Sequence, residues 1–177
     1  MISLSIGQGE LMITPIQMAN LATILANRGY YITPHIVRSI NDSTSSQIEK
    51  HVIPIARKHF DPIVEGMQMV IKEGTGRRAQ IDSITIAGKT GTVQNPHGDD
   101  HSVFIAFAPV EDPKIALIVY VENGVWGSRY AAPIAGLLIE KYLKGKISDR
   151  KKPLEKEMFQ GSLIHNTTSK VKETSNE

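Results

Sequence analysis

Residues 87–94 of this 177-residue chain read Ala-Gly-Lys-Thr-Gly-Thr-Val-Gln, which crowds a lysine, two threonines and two glycines into one short span. If the span is a strand, Thr90 and Thr92 lie two apart and point their hydroxyls to one face. Two neighbouring hydroxyl donors suit a carboxylate. Lys89 brings a fixed positive charge to the same wall, and Gly91 lets a substrate backbone come close. A backbone N–H on an open strand edge can supply half of an oxyanion hole. Strict alternation, however, puts Lys89 on the face opposite the two threonines. A twisted edge strand, or a lysine stem that folds over the edge, is needed to gather all three.

A phosphate loop is the competing chemistry for Gly88-Lys89-Thr90. Its pattern requires glycine at position 83, where Ser83 stands, and a helix starting just after the lysine. Here Gly91 follows at once, Thr92 and Val93 favour a strand, and Pro96 blocks continuation. The nucleotide-binding reading therefore lacks its structural context.

Elements that must position this segment can be read on either side of it. Residues 14–28 predict a helix, with Thr14 as N-cap, Pro15 at the first position, an apolar stripe of Met18, Leu21, Ala22 and Leu25, and Gly29 at C′. Residues 30–40 look extended, with Pro34 marking an edge, and 41–50 form a polar loop. A second helix is expected from Pro62 to Glu73, capped by Asp61, with Ile63, Met67, Val70 and Ile71 as its stripe and Gly74 and Gly76 at its end. The turn that holds Thr75, Arg77 and Arg78 reads as structural, with solvated arginines. Strands are expected over 84–94, 102–108 and 115–122, the last two apolar on both faces and joined by a short hairpin link. A last helix over 133–144 carries Ala135, Leu138, Ile139 and Tyr142, and Gly145 stops it. Helix, extended, helix, three strands, helix implies an α+β class with an antiparallel sheet and flanking helices.

Composition narrows the function classes. Apolar residues at 41% and charged residues at 21% fit a globular chain with a core. No cysteine is present, which removes zinc fingers, iron–sulfur clusters, disulfides and cysteine nucleophiles. The net charge of +2 resides in residues 146–177, which hold seven Lys or Arg and five acids. Residues 1–145 are neutral, which argues against nucleic-acid binding by a charged face. The polar composition of 146–177 predicts a disordered tail. The longest apolar run, Ile115–Val121, is far short of a membrane span, and the first residues lack the pattern of a signal peptide.

Together with S-x-x-K and S-x-N, K-T-G is the signature set of penicillin-binding proteins and serine β-lactamases. The wider chain resembles the C-terminal part of the transpeptidase domain of class B penicillin-binding proteins, and within them the penicillin-binding protein 2 subgroup of the cell-elongation machinery. The resemblance is carried by IGQGELMITPIQMANLATILANRGYYITPHIV (6–37), IAGKTGTVQ (86–94), DHSVFIAFAPVEDPKIALIVYVENG (100–124) and YAAPIAGLLIEKYL (130–143). It covers 3–145 and none of 146–177. It implies a penicillin-binding-protein/serine β-lactamase-like fold, a five-stranded antiparallel sheet flanked by helices, of which this chain holds the three C-terminal strands. It also implies acyl transfer. A serine attacks the D-Ala–D-Ala bond of a peptidoglycan stem peptide, and a neighbouring stem's amine resolves the acyl-enzyme into a cross-link; β-lactams acylate the same serine. By position, Lys89 joins the network of the S-x-N serine, Thr90 and Thr92 hold the carboxylate beside Gly91, and the Thr92 N–H completes the oxyanion hole. Stem peptides, β-lactams and a glycan-polymerising membrane partner are the implied partners, with no cofactor and no metal. The implied location is the bacterial inner membrane with the domain in the periplasm, although this chain carries no anchor of its own.

One departure is large. Neither S-x-x-K nor S-x-N stands before residue 88 in the right setting. Ser148–Lys151 and Ser169–Lys172 match S-x-x-K by letters but lie after K-T-G, and Ser39-Ile40-Asn41 matches S-x-N without a partner serine. The isolated chain is therefore expected to be inactive, with a non-catalytic docking module of the wall-synthesis complex as the alternative. His97, Asp99, Asp100 and His101 read as polar loop residues rather than metal ligands. Tyr30-Tyr31 reads as a packed strand start. Trp126 with Arg129 either borders the cleft or caps the sheet. Lys151-Lys152 offers only a weak pull towards anionic lipid.

Overall fold

A computed structural model describes residues 7, 12–37, 39–40, 43–44 and 49–163. Its organising element is β6 (His101–Ala108), the central strand of an antiparallel sheet with the order β5-β6-β7, where β5 is Ala87–Val93 and β7 is Ile115–Val121. The sequence HSVFIAFA gives β6 an apolar side chain on both faces, so neither face can be left to water. Phe104 and Phe107 point to opposite faces and both are 0% exposed.

On the Phe104 face lies α3 (Ala131–Lys144), with Ala131, Ala132, Ala135 and Ile139 packed on Phe104, Ala106, Ala108 and Val119. On the Phe107 face lie α1 (Pro15–Ala26) and α2 (Asp61–Lys72), which bring Ala26, Val64 and Met67 to Ala87, Phe107 and Val110. The β6–β7 link is the expected hairpin. It opens with a cis Ala108–Pro109 bond and closes with Lys114 N–H donating to Ala108 O at 2.9 Å. Short strands β1 (Tyr30–Ile32) and β4 (Lys50–Val52) pair antiparallel, as do β2 (Ser39–Ile40) and β3 (Ser43–Thr44). The α+β class, the three antiparallel strands and the flanking helices match the expectation from sequence. No helix among the described residues is long and apolar enough to cross a membrane.

Several local expectations need correction. The α2 stripe runs through Val64, Met67 and Ile71, with Val64 2% and Ile63 50% exposed. Asp61 lies inside the first turn, and Phe60 stands at the cap. On α3, Leu138 is 50% and Tyr142 63% exposed, because the face turned to the sheet carries Ala131, Ala132, Ala135 and Ile139 instead. At the end of α1 it is Arg28, not Gly29, that first takes a left-handed backbone, with φ 55°. Its guanidinium offsets that strain by donating to Leu25 O and Ala26 O and by pairing with Asp61 at 3.5 Å, which ties α1 to the start of α2.

The tail expected to be disordered begins as ordered structure. A 3-10 turn (Asp149–Lys151) leads into α4 (Lys152–Gln160), with Pro153 in its first turn. Charges read as solvated are paired instead. Arg78 Nη2 donates to both Glu157 carboxylate oxygens at 2.7 Å, and Arg150 Nη1 meets Asp82 Oδ2 at 2.7 Å. These two ion pairs link α4 and its leading turn to the Arg78 and Asp82 segment. Residues 164–177, including Ser169–Lys172, lie outside the described residues, as does Asn41.

Close approach of α3 can be tested. A Cβ at Gly136 would lie 2.7 Å from Ala79 O and 2.8 Å from Ala79 Cα, whereas one at Gly66 on α2 meets nothing within 4 Å. Gly136→Ala is expected to cost about 1–3 kcal/mol and Gly66→Ala to add about 0.5–1 kcal/mol, both read by urea unfolding. A second test concerns the hairpin. Thr85 Oγ1 donates to Glu111 Oε2, and this hydrogen bond holds the Glu111 carboxyl below its ordinary value. The tie is at full strength above the usual carboxylate range and is lost as pH falls through the lowered pKa. Carbon-detected NMR titration of Glu111 should show a depressed midpoint that returns towards normal in Thr85→Val.

Candidate active site

The site is built on the free edge of β5. Among the described residues that strand pairs only with β6, and no strand is seen on its other edge. Gly88, Thr90 and Thr92 pair with Ala106, Phe104 and Ser102, so they share the α3 face, and Lys89 and Gly91 share the opposite one. The separation expected from alternation is therefore present in the backbone. It is bridged by the lysine itself: Lys89 Nζ donates to Thr90 O at 2.8 Å. The stem folds over the edge, and the ammonium lies beside the threonine carbonyl. Thr90 O accepts from this ammonium, and the backbone period of two puts the Thr90 and Thr92 N–H groups on one edge of the strand.

Sequence reasoning placed Lys89, Thr90, Gly91 and Thr92 together; the structure puts them on β5, with Thr90 and Thr92 on the α3 face, Lys89 and Gly91 on the other, and the Lys89 ammonium at Thr90 O. It also adds a residue that was read only as part of a turn. Thr75 Oγ1 lies 2.7 Å from Thr90 Oγ1. The glycines on either side of Thr75 were the available signal, since they mark a turn held tightly against its surroundings.

Behind the strand, the loop after β7 braces the site. A Cβ at Gly127 would sit 2.8 Å from Gly91 O and 3.0 Å from Thr90 Cβ, so only glycine fits there. Ser102, 0% exposed, holds this loop by donating to Trp126 O at 2.8 Å while its Oγ accepts from Ala131 N–H at 3.1 Å. The Trp126 backbone thus caps the sheet, and its side chain is exposed. Arg129 O accepts from Arg78 Nη1 at 3.1 Å, so Arg78 is not the solvated group the sequence suggested.

Other candidates lie elsewhere. His97, Asp99, Asp100 and His101 shape the β5–β6 connection: Asn95 N–H donates to Asp100 Oδ1 and Asn123 N–H to His101 Nδ1, each at 3.1 Å. Tyr31 stacks on His51 at 4.8 Å between ring centres, as a packed strand start should. Lys151 of the Ser148–Lys151 letter match differs from expectation. Burial pulls its ammonium below the usual lysine range, against the opposing charges of Glu140 and Asp82. Its Nζ nevertheless makes no hydrogen bond, to Ser148 or to any other described group, so the two residues do not form a serine–lysine dyad.

Comparison with known proteins decides the family. A model of the penicillin-binding protein transpeptidase domain matches residues 1–140. The chain belongs to the penicillin-binding protein transpeptidase domain family. Within this family it is 33% identical over 171 residues to peptidoglycan D,D-transpeptidase MrdA of Haemophilus influenzae, covering 82% of this chain and 26% of that protein. Among solved structures, Pseudomonas aeruginosa PBP2 in complex with WCK 5153 aligns with a TM-score of 0.70 and 35% identity, over 84% of this chain and 34% of that one. The imipenem acyl-enzyme complex of Mycobacterium tuberculosis penicillin-binding protein A aligns with a TM-score of 0.71 and 32% identity, over 80% and 33%. The likeness to class B transpeptidases, and among them to MrdA and PBP2, is the one carried by the sequence motifs. The chain spans about a quarter to a third of the length of these relatives.

Ser102 is the buried hinge between loop and site, and its removal has a defined expectation. Ser102→Ala leaves Trp126 O and Ala131 N–H unmet and should destabilise the chain by about 1–3 kcal/mol. The same variant should move the Thr90 and Gly91 amide resonances in a nitrogen–proton NMR spectrum.

Proposed function

We propose that this chain supplies the carboxylate-binding and oxyanion-donating wall of a serine-type peptidoglycan D,D-transpeptidase. The observation that carries the reading is Lys89 Nζ donating to Thr90 O at 2.8 Å, which brings a cation to the backbone of the strand that bears the Thr90 and Thr92 hydroxyls. A D-Ala–D-Ala terminus laid along that edge presents its carboxylate to Thr90 and Thr92. Gly91 leaves room for its backbone. Its scissile carbonyl oxygen then receives the Thr92 N–H as negative charge develops; one such donor is worth about 100- to 1,000-fold in rate.

In this reading the nucleophile is a serine of a longer enzyme, outside these 177 residues, and Lys89 supports its hydrogen-bond network. The serine oxygen bonds to the penultimate D-Ala carbonyl carbon, the terminal D-Ala leaves as a protonated amine, and the amine of a second stem peptide displaces the serine. A β-lactam opens on the same serine and has no leaving amine to release. A periplasmic domain tethered to the inner membrane, a part in cell elongation and cell shape, and a glycan-polymerising partner follow from the family resemblance. So does the division into a transpeptidase portion over 1–145 and a separate C-terminal stretch over 146–177.

Fluorescent penicillin tests the assignment of the nucleophile. The purified chain should take up no covalent label, since no serine hydroxyl among its described residues is hydrogen-bonded to a lysine amine. Stoichiometric labelling of one serine would overturn it.

A further inference from the structure

Thr75 lies outside the K-T-G-T run, yet its Oγ1 is 2.7 Å from Thr90 Oγ1. Its place is built rather than accidental. The turn that carries it is clamped to the end of α2 by Gly74 N–H donating to Met69 O at 3.1 Å and Gly76 N–H to Val70 O at 2.9 Å. A Cβ at Gly74 would fall 2.9 Å from Val70 Cα, and one at Gly76 would fall 2.9 Å from Ile71 Cδ1 and 3.2 Å from Val70 O. The turn then runs into the 3-10 segment Arg77–Ala79, whose Ala79 backbone is covered by Gly136 of α3. Thr75 is thus held against β5 from two helices.

A hydroxyl has one proton and can donate only once. If Thr90 gives its proton to a substrate carboxylate, as the proposed function requires, the 2.7 Å contact can persist only with Thr75 as donor and Thr90 as acceptor. We infer that Thr75 is a positioning residue of the site: its hydroxyl fixes the Thr90 rotamer and turns the Thr90 proton outward to a ligand carboxylate. A donor that itself accepts a hydrogen bond is polarised and becomes a better donor. Thr75 therefore acts through Thr90, and its effect is confined to ligands that carry the negative charge. The inference rests on the assignment of Thr90 as a carboxylate donor.

The test uses the 177-residue chain and two probes, N-acetyl-L-lysyl-D-alanyl-D-alanine and its C-terminal amide, titrated against nitrogen–proton NMR spectra. Thr75→Val keeps the shape and removes the hydroxyl, and Thr75→Ser restores it. The expected result is about a tenfold weaker grip on the carboxylate probe in Thr75→Val, no change for the amide, and recovery in Thr75→Ser. Three-bond couplings at Thr90 should also read one χ1 rotamer in the parent and in Thr75→Ser, and an average in Thr75→Val. An equal loss on both probes would make Thr75 merely structural, and unchanged affinity would deny it any part; either overturns the inference while leaving the Thr90 assignment intact. If the parent chain itself does not prefer the carboxylate over the amide, the Thr90 assignment fails, and the inference fails with it.

Discussion

Everything in this fold answers to the demand that β6 have no water on either face. Phe104 and Phe107 are fully buried on opposite sides of one strand. Each needs its own cover, so α3 closes on one face while α1 and α2 close on the other. With both faces taken, the functional surface can lie only at an edge of the sheet or beyond its ends. Among the described residues β5 and β7 are the two outer strands of this sheet, and the K-T-G-T residues are on β5. Burial of the central strand leaves the sheet's outer strands as the places where polar groups of the sheet can meet a ligand.

Alternation along a strand is usually a rule for separating side chains. At β5 it divides the threonines from the lysine, and the length of the lysine stem reverses the division. Four methylenes are enough to carry the ammonium around the backbone to Thr90 O. A shorter cation at position 89 would remain on the far face. The neighbouring supports follow the same economy of distance. Gly127 lets the loop after β7 touch Gly91, Gly136 lets α3 touch Ala79, and the Thr75 turn rests on α2. Small residues at these contacts let the loop after β7 approach β5 and let α3 cover the 3-10 segment that follows the Thr75 turn.

Much of the architecture was legible because its signals are local. Thr14-Pro15 starts α1, and the Gln17 side chain accepts from the Thr14 N–H at 2.8 Å as a capping residue should. The apolar runs in β6 and β7 told of strands covered on both sides. Where reading failed, the deciding contact was distant in sequence. Val64 rather than Ile63 faces inward because α2 is rotated to meet Phe107. Leu138 is exposed because Ala131, Ala132, Ala135 and Ile139 carry the face turned to the sheet instead. Residues 149–160 form a 3-10 turn and a helix whose contacts include ion pairs of Glu157 with Arg78 and of Arg150 with Asp82, 79 and 68 residues apart in the chain.

The residue types at positions 89–92 and their order suggested a chemistry, and the longer stretches 6–37, 86–94, 100–124 and 130–143 pointed to the family, because residue order is a property of the chain itself. What the tertiary structure decided is how those groups share a surface. The fold over the β5 edge, the approach of Thr75 to Thr90 and the brace from Ser102 to Trp126 depend on where whole elements pack. That packing is set by burial of β6 against helices distant in the chain, which has no period or motif of its own.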